Sequence, residues 1–183
     1  LVSSSAASDV YKRQKHNFGW FKGDTVNMGV GQGYLVSTPI QLAKYAYIIA
    51  NKGNFFDLSL KKDLVKNEKS IEFNKFSNDD WFKLHESMVN VIEGNTGTAR
   101  RLREKKNYIV AAKTGTAELV SGDNREQYSE TRLDDSLRDH ALIIAFGPMP
   151  NPRYAVSVVV ENGESGGSVA GPVAISVLNS LIQ

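Results

Sequence analysis

Residues 113–116, Lys-Thr-Gly-Thr, place an ammonium and two hydroxyls around a glycine, directly after the small apolar run Val110-Ala111-Ala112. A solvated lysine needs no such neighbours. Three readings compete. A phosphate-cradling loop requires Gly-x-x-x-x-Gly-Lys-Ser/Thr. Asn107 and Ala112 stand at its two glycine positions, and the surroundings read as strand, so that chemistry is excluded. The second reading is a surface strand end with a chance Lys-Thr-Gly. The third is one wall of a nucleophilic acyl-transfer site. A sheet-edge strand pairs with an extended peptide through backbone hydrogen bonds. Gly115 keeps such an edge free of bulk, and Thr114 and Thr116 offer donors to a carboxylate. Lys113 supplies positive potential and a partner in proton transfer, and a strand N–H helps to hold a developing oxyanion.

The elements that must position this stretch are legible around it. "YIVAAKTGTAEL" (108–119), "HALIIAFG" (140–147) and "RYAVSVVVEN" (153–162) read as three strands, the last two joined at hairpin length by "PMPNP". A polar loop, 120–139, separates the first two. Before them, Thr38, Pro39 and Gln41 spell a capped start for a helix that is apolar nearly all round. Asn51-Lys52-Gly53 ends it, with Gly53 suited to the left-handed C′ position. Residues 54–76 read as short strands or a surface excursion. Ser77 caps a second helix whose Asp79 and Asp80 favour the positive end of its dipole. Trp81, Leu84, Met88, Val91 and Ile92 form its apolar stripe, and Gly94 stops it. Residues 95–106 read as a basic connection. Gly171-Pro172 opens a C-terminal helix. The order implies an α+β fold, an antiparallel sheet covered by helices. Residues 15–36, with five glycines, read as a loop.

At 183 residues the chain is long enough for one domain with a real core. No apolar run approaches membrane-spanning length. A net charge of +2 gives no argument for nucleic acid. The chain has no cysteine, which excludes disulfides and thiol nucleophiles, and its three histidines are scattered, so no metal or other cofactor is expected. Absence of cysteine fits an oxidising compartment. Residues 1–14, "LVSSSAASDVYKRQ", show neither periodicity nor a cleavable signal pattern. They read as a non-native, adapter-like leader and are set aside, leaving 15–183 as the domain.

Four blocks in order carry a resemblance: "GVGQGYLVSTPIQLAKYAYIIANKG" (29–53), "KTGTAE" (113–118), "LRDHALIIAFGP" (137–148) and "YAVSVVVENGESGG" (154–167). Together they resemble the C-terminal part of the transpeptidase domain of class B penicillin-binding proteins, with "LRDHAL" and "VVVENG" pointing to the elongation-type branch. The resemblance implies a partial penicillin-binding-protein/β-lactamase-like fold. It also implies a D,D-transpeptidase that cross-links peptidoglycan stem peptides ending in D-Ala-D-Ala through a serine acyl-enzyme that β-lactams also form. Lys113 then belongs to the proton and electrostatic network. Thr114, Gly115 and Thr116 line the substrate strand. The Thr116 N–H matches an oxyanion donor, and its Oγ the contact for a substrate or antibiotic carboxylate. Other elongation proteins as partners are implied too, as is a membrane anchor with the catalytic domain facing the periplasm.

That family also needs Ser-x-x-Lys and Ser-x-Asn before the Lys-Thr-Gly strand. Ser59-Leu60-Lys61-Lys62 fits the first by letters, but it follows the GVGQG helix in a charged segment without a helix start. No Ser-x-Asn occurs; Ser121-Gly122-Asp123 is nearest and falls on the wrong side of Lys113. Both elements are therefore expected upstream, and this chain alone is expected to be inactive, because nucleophile and base act as a unit. A related β-lactamase or D,D-carboxypeptidase, and a non-catalytic sensor or scaffold, are the alternatives. GVGQG lacks nucleotide-binding spacing and reads as a structural loop. Arg138-Asp139-His140 reads as a hydrogen-bonded cluster against a catalytic histidine. Asp134-Asp135 reads as a solvated pair and 161–167 as a flexible rim loop.

Overall fold

The computed structural model describes residues 2–59, 68–70, 76–119 and 135–182. Leu60 to Lys62, residues 71–75, Ser121-Gly122-Asp123 and Asp134 lie outside these. The chain divides into two compact units, 1–38 and 39–183.

In the first unit, α1 (Val2–His16) covers the stretch set aside above, and α2 (Lys22–Gly29) replaces part of the loop expected over 15–36. Neither carries an apolar stripe, so periodicity could not announce them. A polar joint links them instead: Lys12, almost fully buried, bonds Asp24 at 2.6 Å, and Asp24 reaches back to the Phe21 N–H at 2.7 Å. These two bonds, the lysine's first, hold the Asp24 carboxyl below its ordinary range.

The second unit opens with α3 (Pro39–Ala50). The chain then leaves the helix through Lys52, not Gly53, in the left-handed C′ position. Lys52 has φ 53° and Gly53 φ 94°. The N–H of Gly53 donates to the Ile48 carbonyl at 2.9 Å and that of Lys52 to Ile49 at 3.1 Å. A hairpin of β1 (Asn54–Phe56) and β2 (Glu68–Ser70) follows. In α4 (Asn78–Glu93), the Asp80 N–H donates to Ser77 Oγ at 3.2 Å and the Asp80 carboxylate accepts from the Ser77 N–H at 2.8 Å. Ser77 is thus the expected cap. The basic connection contains a 3₁₀ turn, Arg100–Lys105. Next come β3 (Ala111–Ala117), a 3₁₀ turn (Asp135–Leu137), β4 (His140–Gly147) and β5 (Tyr154–Val160). A π-helical turn (Gly166–Ala170) leads into α5 (Gly171–Leu181).

The three strands form an antiparallel sheet in the order β3-β4-β5. Register assigns the faces. Ala112, Ala145 and Val156 share one with Ile143, and there pack Leu102, Ala174, Ile175 and Leu178 from the 3₁₀ turn and α5. Ala111, Phe146 and Ala155 share the other, against Ile49 of α3 and Met88 of α4. Buried His85 of α4 bonds the Ile49 carbonyl at 2.8 Å and sets its ring against Phe146. The sheet is thus held between two helical layers, the α+β arrangement expected from the order of elements.

Candidate active site

β3 bonds β4 along one edge; among the described residues no strand bonds its other edge. Alternation along the strand separates its side chains. Lys113 pairs in register with Ile144, and Thr114 and Thr116 with Ile143 and Ala141 on the opposite face. The two hydroxyls are therefore together and the ammonium is apart from them. Lys113 is exposed, and its Nζ donates to the Thr114 carbonyl at 2.7 Å. Among the described residues no serine or carboxylate is bonded to it. Ser157, on the Lys113 face two strands away, donates instead to the Pro39 carbonyl at 2.6 Å.

Each threonine has a neighbour from a distant part of the chain. Thr114 Oγ1 lies 2.8 Å from Thr98 Oγ1. Thr116 Oγ1 donates to the Glu164 carbonyl in a long contact of 3.4 Å. Between them, the close approach is made by Gly166: a Cβ there would sit 2.3 Å from the Leu142 carbonyl oxygen and 2.8 Å from that of Gly115. A bare α-carbon at 166 lets the π-helical turn lie directly on the β3–β4 backbone.

The segment read as a flexible rim, 161–167, is stitched to the start of β4. The Asn162 N–H donates to His140 Nδ1 at 3.0 Å, and the Asn162 amide donates to the Ser136 and Arg138 carbonyls, each at 2.9 Å. The Glu164 N–H donates to the Asp139 carbonyl at 2.8 Å, and Arg138 Nε lies 3.7 Å from the Glu164 carboxylate. Asp139 also accepts from the Leu119 N–H at 3.3 Å, just beyond β3. Arg138-Asp139-His140 is therefore a hydrogen-bonded brace, with His140 Nδ1 occupied as an acceptor. GVGQG forms the end of α2 and the turn after it, without a strand before it.

Of three residues beside the strand, Glu164 and Gly166 fall in the stretch read as a rim loop, with no contact to β3 assigned to either, and no motif carried Thr98. One signal was present, since Thr96-Gly97-Thr98-Ala99 repeats the letters of Thr114-Gly115-Thr116-Ala117. The described residues hold no cluster of His, Asp or Glu able to bind a metal ion.

Comparison with known proteins gives this geometry its family. A family model described as the penicillin binding protein transpeptidase domain matches residues 7–179, beginning inside the stretch set aside as a leader. The peptidoglycan D,D-transpeptidase MrdA of Haemophilus influenzae is 33% identical over 177 residues, which is 92% of this chain and 27% of that protein. The crystal structure of Pseudomonas aeruginosa PBP2 in complex with WCK 5153 superposes with a TM-score of 0.74 at 32% identity, covering 95% of this chain and 37% of that one. The complex between PBP2 and MreC from Helicobacter pylori gives 0.68 at 26% identity, covering 95% and 30%. The chain thus spans between a quarter and two fifths of the length of these relatives. A match over nearly the whole chain, on a sheet whose edge strand reads Lys-Thr-Gly-Thr, means that the chain belongs to the penicillin-binding protein transpeptidase domain family.

Proposed function

We propose that this chain is the C-terminal part of the transpeptidase domain of an elongation-type peptidoglycan D,D-transpeptidase. The observation that carries the reading is the edge of β3 that no strand bonds among the described residues, with the Thr114 and Thr116 hydroxyls on one face, inside a domain matched by the family model over 7–179. A stem peptide lies along that edge as an added strand. A serine outside this chain attacks the carbonyl of the D-Ala-D-Ala bond. The Oγ–C bond forms, the C–N bond breaks, and D-Ala departs with the serine's proton on its amine. An amine of a second stem then attacks the ester. The new C–N bond forms, the C–O bond breaks, and the serine recovers a proton. The Thr116 N–H holds the oxyanion of each tetrahedral intermediate. Its hydroxyl and that of Thr114 take the terminal carboxylate, and Lys113 contributes positive potential to the proton network. β-Lactams acylate the same serine.

The catalytic domain works outside the cytoplasmic membrane; no described helix is long and apolar enough to cross one. Peptidoglycan stems are its substrates and proteins of the cell-elongation machinery its partners, a reading supported by the PBP2–MreC complex among its structural relatives.

The test uses the full-length protein and fluorescent penicillin. Wild type is expected to form a covalent adduct, and Lys113→Ala to form it at least about a hundredfold more slowly, the scale of a lost electrostatic contact at an acyl-transfer site. Equal labelling of the two proteins contradicts the role of Lys113. No labelling of wild type leaves a binding module without chemistry.

A further inference from the structure

The 3₁₀ turn after α4 carries Arg100, Arg101, Arg103 and Lys105 within six residues. Not all of this charge is neutralised. Arg103 and Lys106 turn to Glu93, with Lys106 bonded to its carboxylate. Arg100 and Arg101 are exposed and form no ion pair among the described residues. They line two adjoining hollows. One, about 220 Å³, is bounded by Thr98, Arg100, Arg101, Gly167 and Ser168, among others, and has no acidic residue in its wall. The other, about 320 Å³, is bounded by Asn95, Arg100, Arg101, Arg103 and Glu104.

The wall is fixed rather than loose. A Cβ at Gly167 would stand 2.3 Å from the Thr98 carbonyl oxygen, so the π-helical turn is pressed directly on the Thr98 backbone. Thr98 is in turn held to Thr114 of β3, hydroxyl to hydroxyl, at 2.8 Å. The arginine-lined hollow and the substrate strand therefore meet at one pair of hydroxyls. Guanidinium groups present a planar fork that fits a carboxylate with two parallel hydrogen bonds.

The chemistry of acyl exchange says which carboxylate arrives there. Under the function proposed above, on which this inference rests, Thr114 and Thr116 hold the carboxylate of the departing D-Ala. The incoming amine must approach the acyl carbon from the side that the leaving amine vacates. An acceptor stem that extends from the vacated position across the Thr114–Thr98 contact reaches the two arginines. We infer that the hollow lined by Thr98, Arg100 and Arg101 is a subsite for a carboxylate of the acceptor stem peptide. It is separate from the strand positions that bind the donor.

The experiment uses the full-length protein, with a donor peptide ending in D-Ala-D-Ala and an acceptor stem peptide prepared with free carboxylates or as the carboxamide. For wild type, KM for the carboxylate acceptor is expected to be about tenfold below that for the carboxamide, and to rise with added salt as screening weakens the contact. The double variant R100Q/R101Q is expected to raise KM for the carboxylate acceptor about tenfold and to leave the carboxamide acceptor unchanged. Its KM for the donor and its rate of penicillin labelling should stay within twofold of wild type. Equal wild-type KM for the two acceptors overturns the subsite, without recourse to any variant. So does a loss in R100Q/R101Q that both acceptors share, which marks a structural role, or one that falls on the donor. Each of those outcomes leaves penicillin labelling, and so the transpeptidase reading, standing; absent labelling of wild type removes both.

Discussion

At the scale of the residue, Asn162 concentrates more structure than its place in an ordinary-looking polar run suggests. With φ 56° it occupies the left-handed region, and its side chain ties two carbonyls while its own N–H reaches His140. Asn162→Gly keeps the backbone at ease and removes only the two side-chain bonds. We expect a loss of about 2 kcal/mol, roughly 1 for each bond, read from the midpoint of urea unfolding. Sequence showed the Lys113–Thr116 stretch because its residues are consecutive. Thr98 and Glu164 stand 16 and 48 positions from their strand partners, and only the fold brings them there. The alternation that parts Lys113 from the threonines also follows from strand geometry, yet it has functional meaning only once the layers on either face are known.

The elements were most readable where a cap or stripe wrote them into the sequence. α4 is the clearest. Ser77→Ala is expected to cost about 1 kcal/mol in thermal unfolding, through loss of its N-cap bond. The Asp80 carboxyl titrates below its ordinary value of 3.8 because the Ser77 hydroxyl and then the Ser77 N–H donate to it. A lowered folded-state pKa stabilises above the ordinary value and loses that contribution as pH falls through the folded value. Asp80→Asn should therefore flatten the acid limb of the stability profile below about pH 3.8 and leave its shape near neutrality unchanged. Lys52 supplies the opposite test. It holds a left-handed C′ position at a cost of about 1 kcal/mol, so Lys52→Gly is expected to raise stability by about that amount in chemical denaturation. α1, α2 and the turns at 100–105 and 166–170 escaped sequence reading for a common reason. Short or polar-jointed helices leave no apolar period, and a π-helical turn next to an α-helix looks like an early start of that helix.

At the largest scale, the sandwich of helix, sheet and helix in the unit 39–183 follows from which strand positions are small. Ala111, Ala112, Ala141 and Ala145 are fully buried, and their size lets both helical layers come close to the sheet. The order of elements was enough to name an antiparallel sheet covered by helices, and left open whether one face or both. It was not enough to say that the π-helical turn would lie on β3 and β4, because Gly166 looks in sequence like any other glycine beside a serine. The outer side of β3, which no strand bonds among the described residues, has a further cost. A strand edge that admits a peptide cannot tell it from the same strand of another molecule. Protein concentrated without a peptide ligand should therefore scatter more light over time than protein saturated with one.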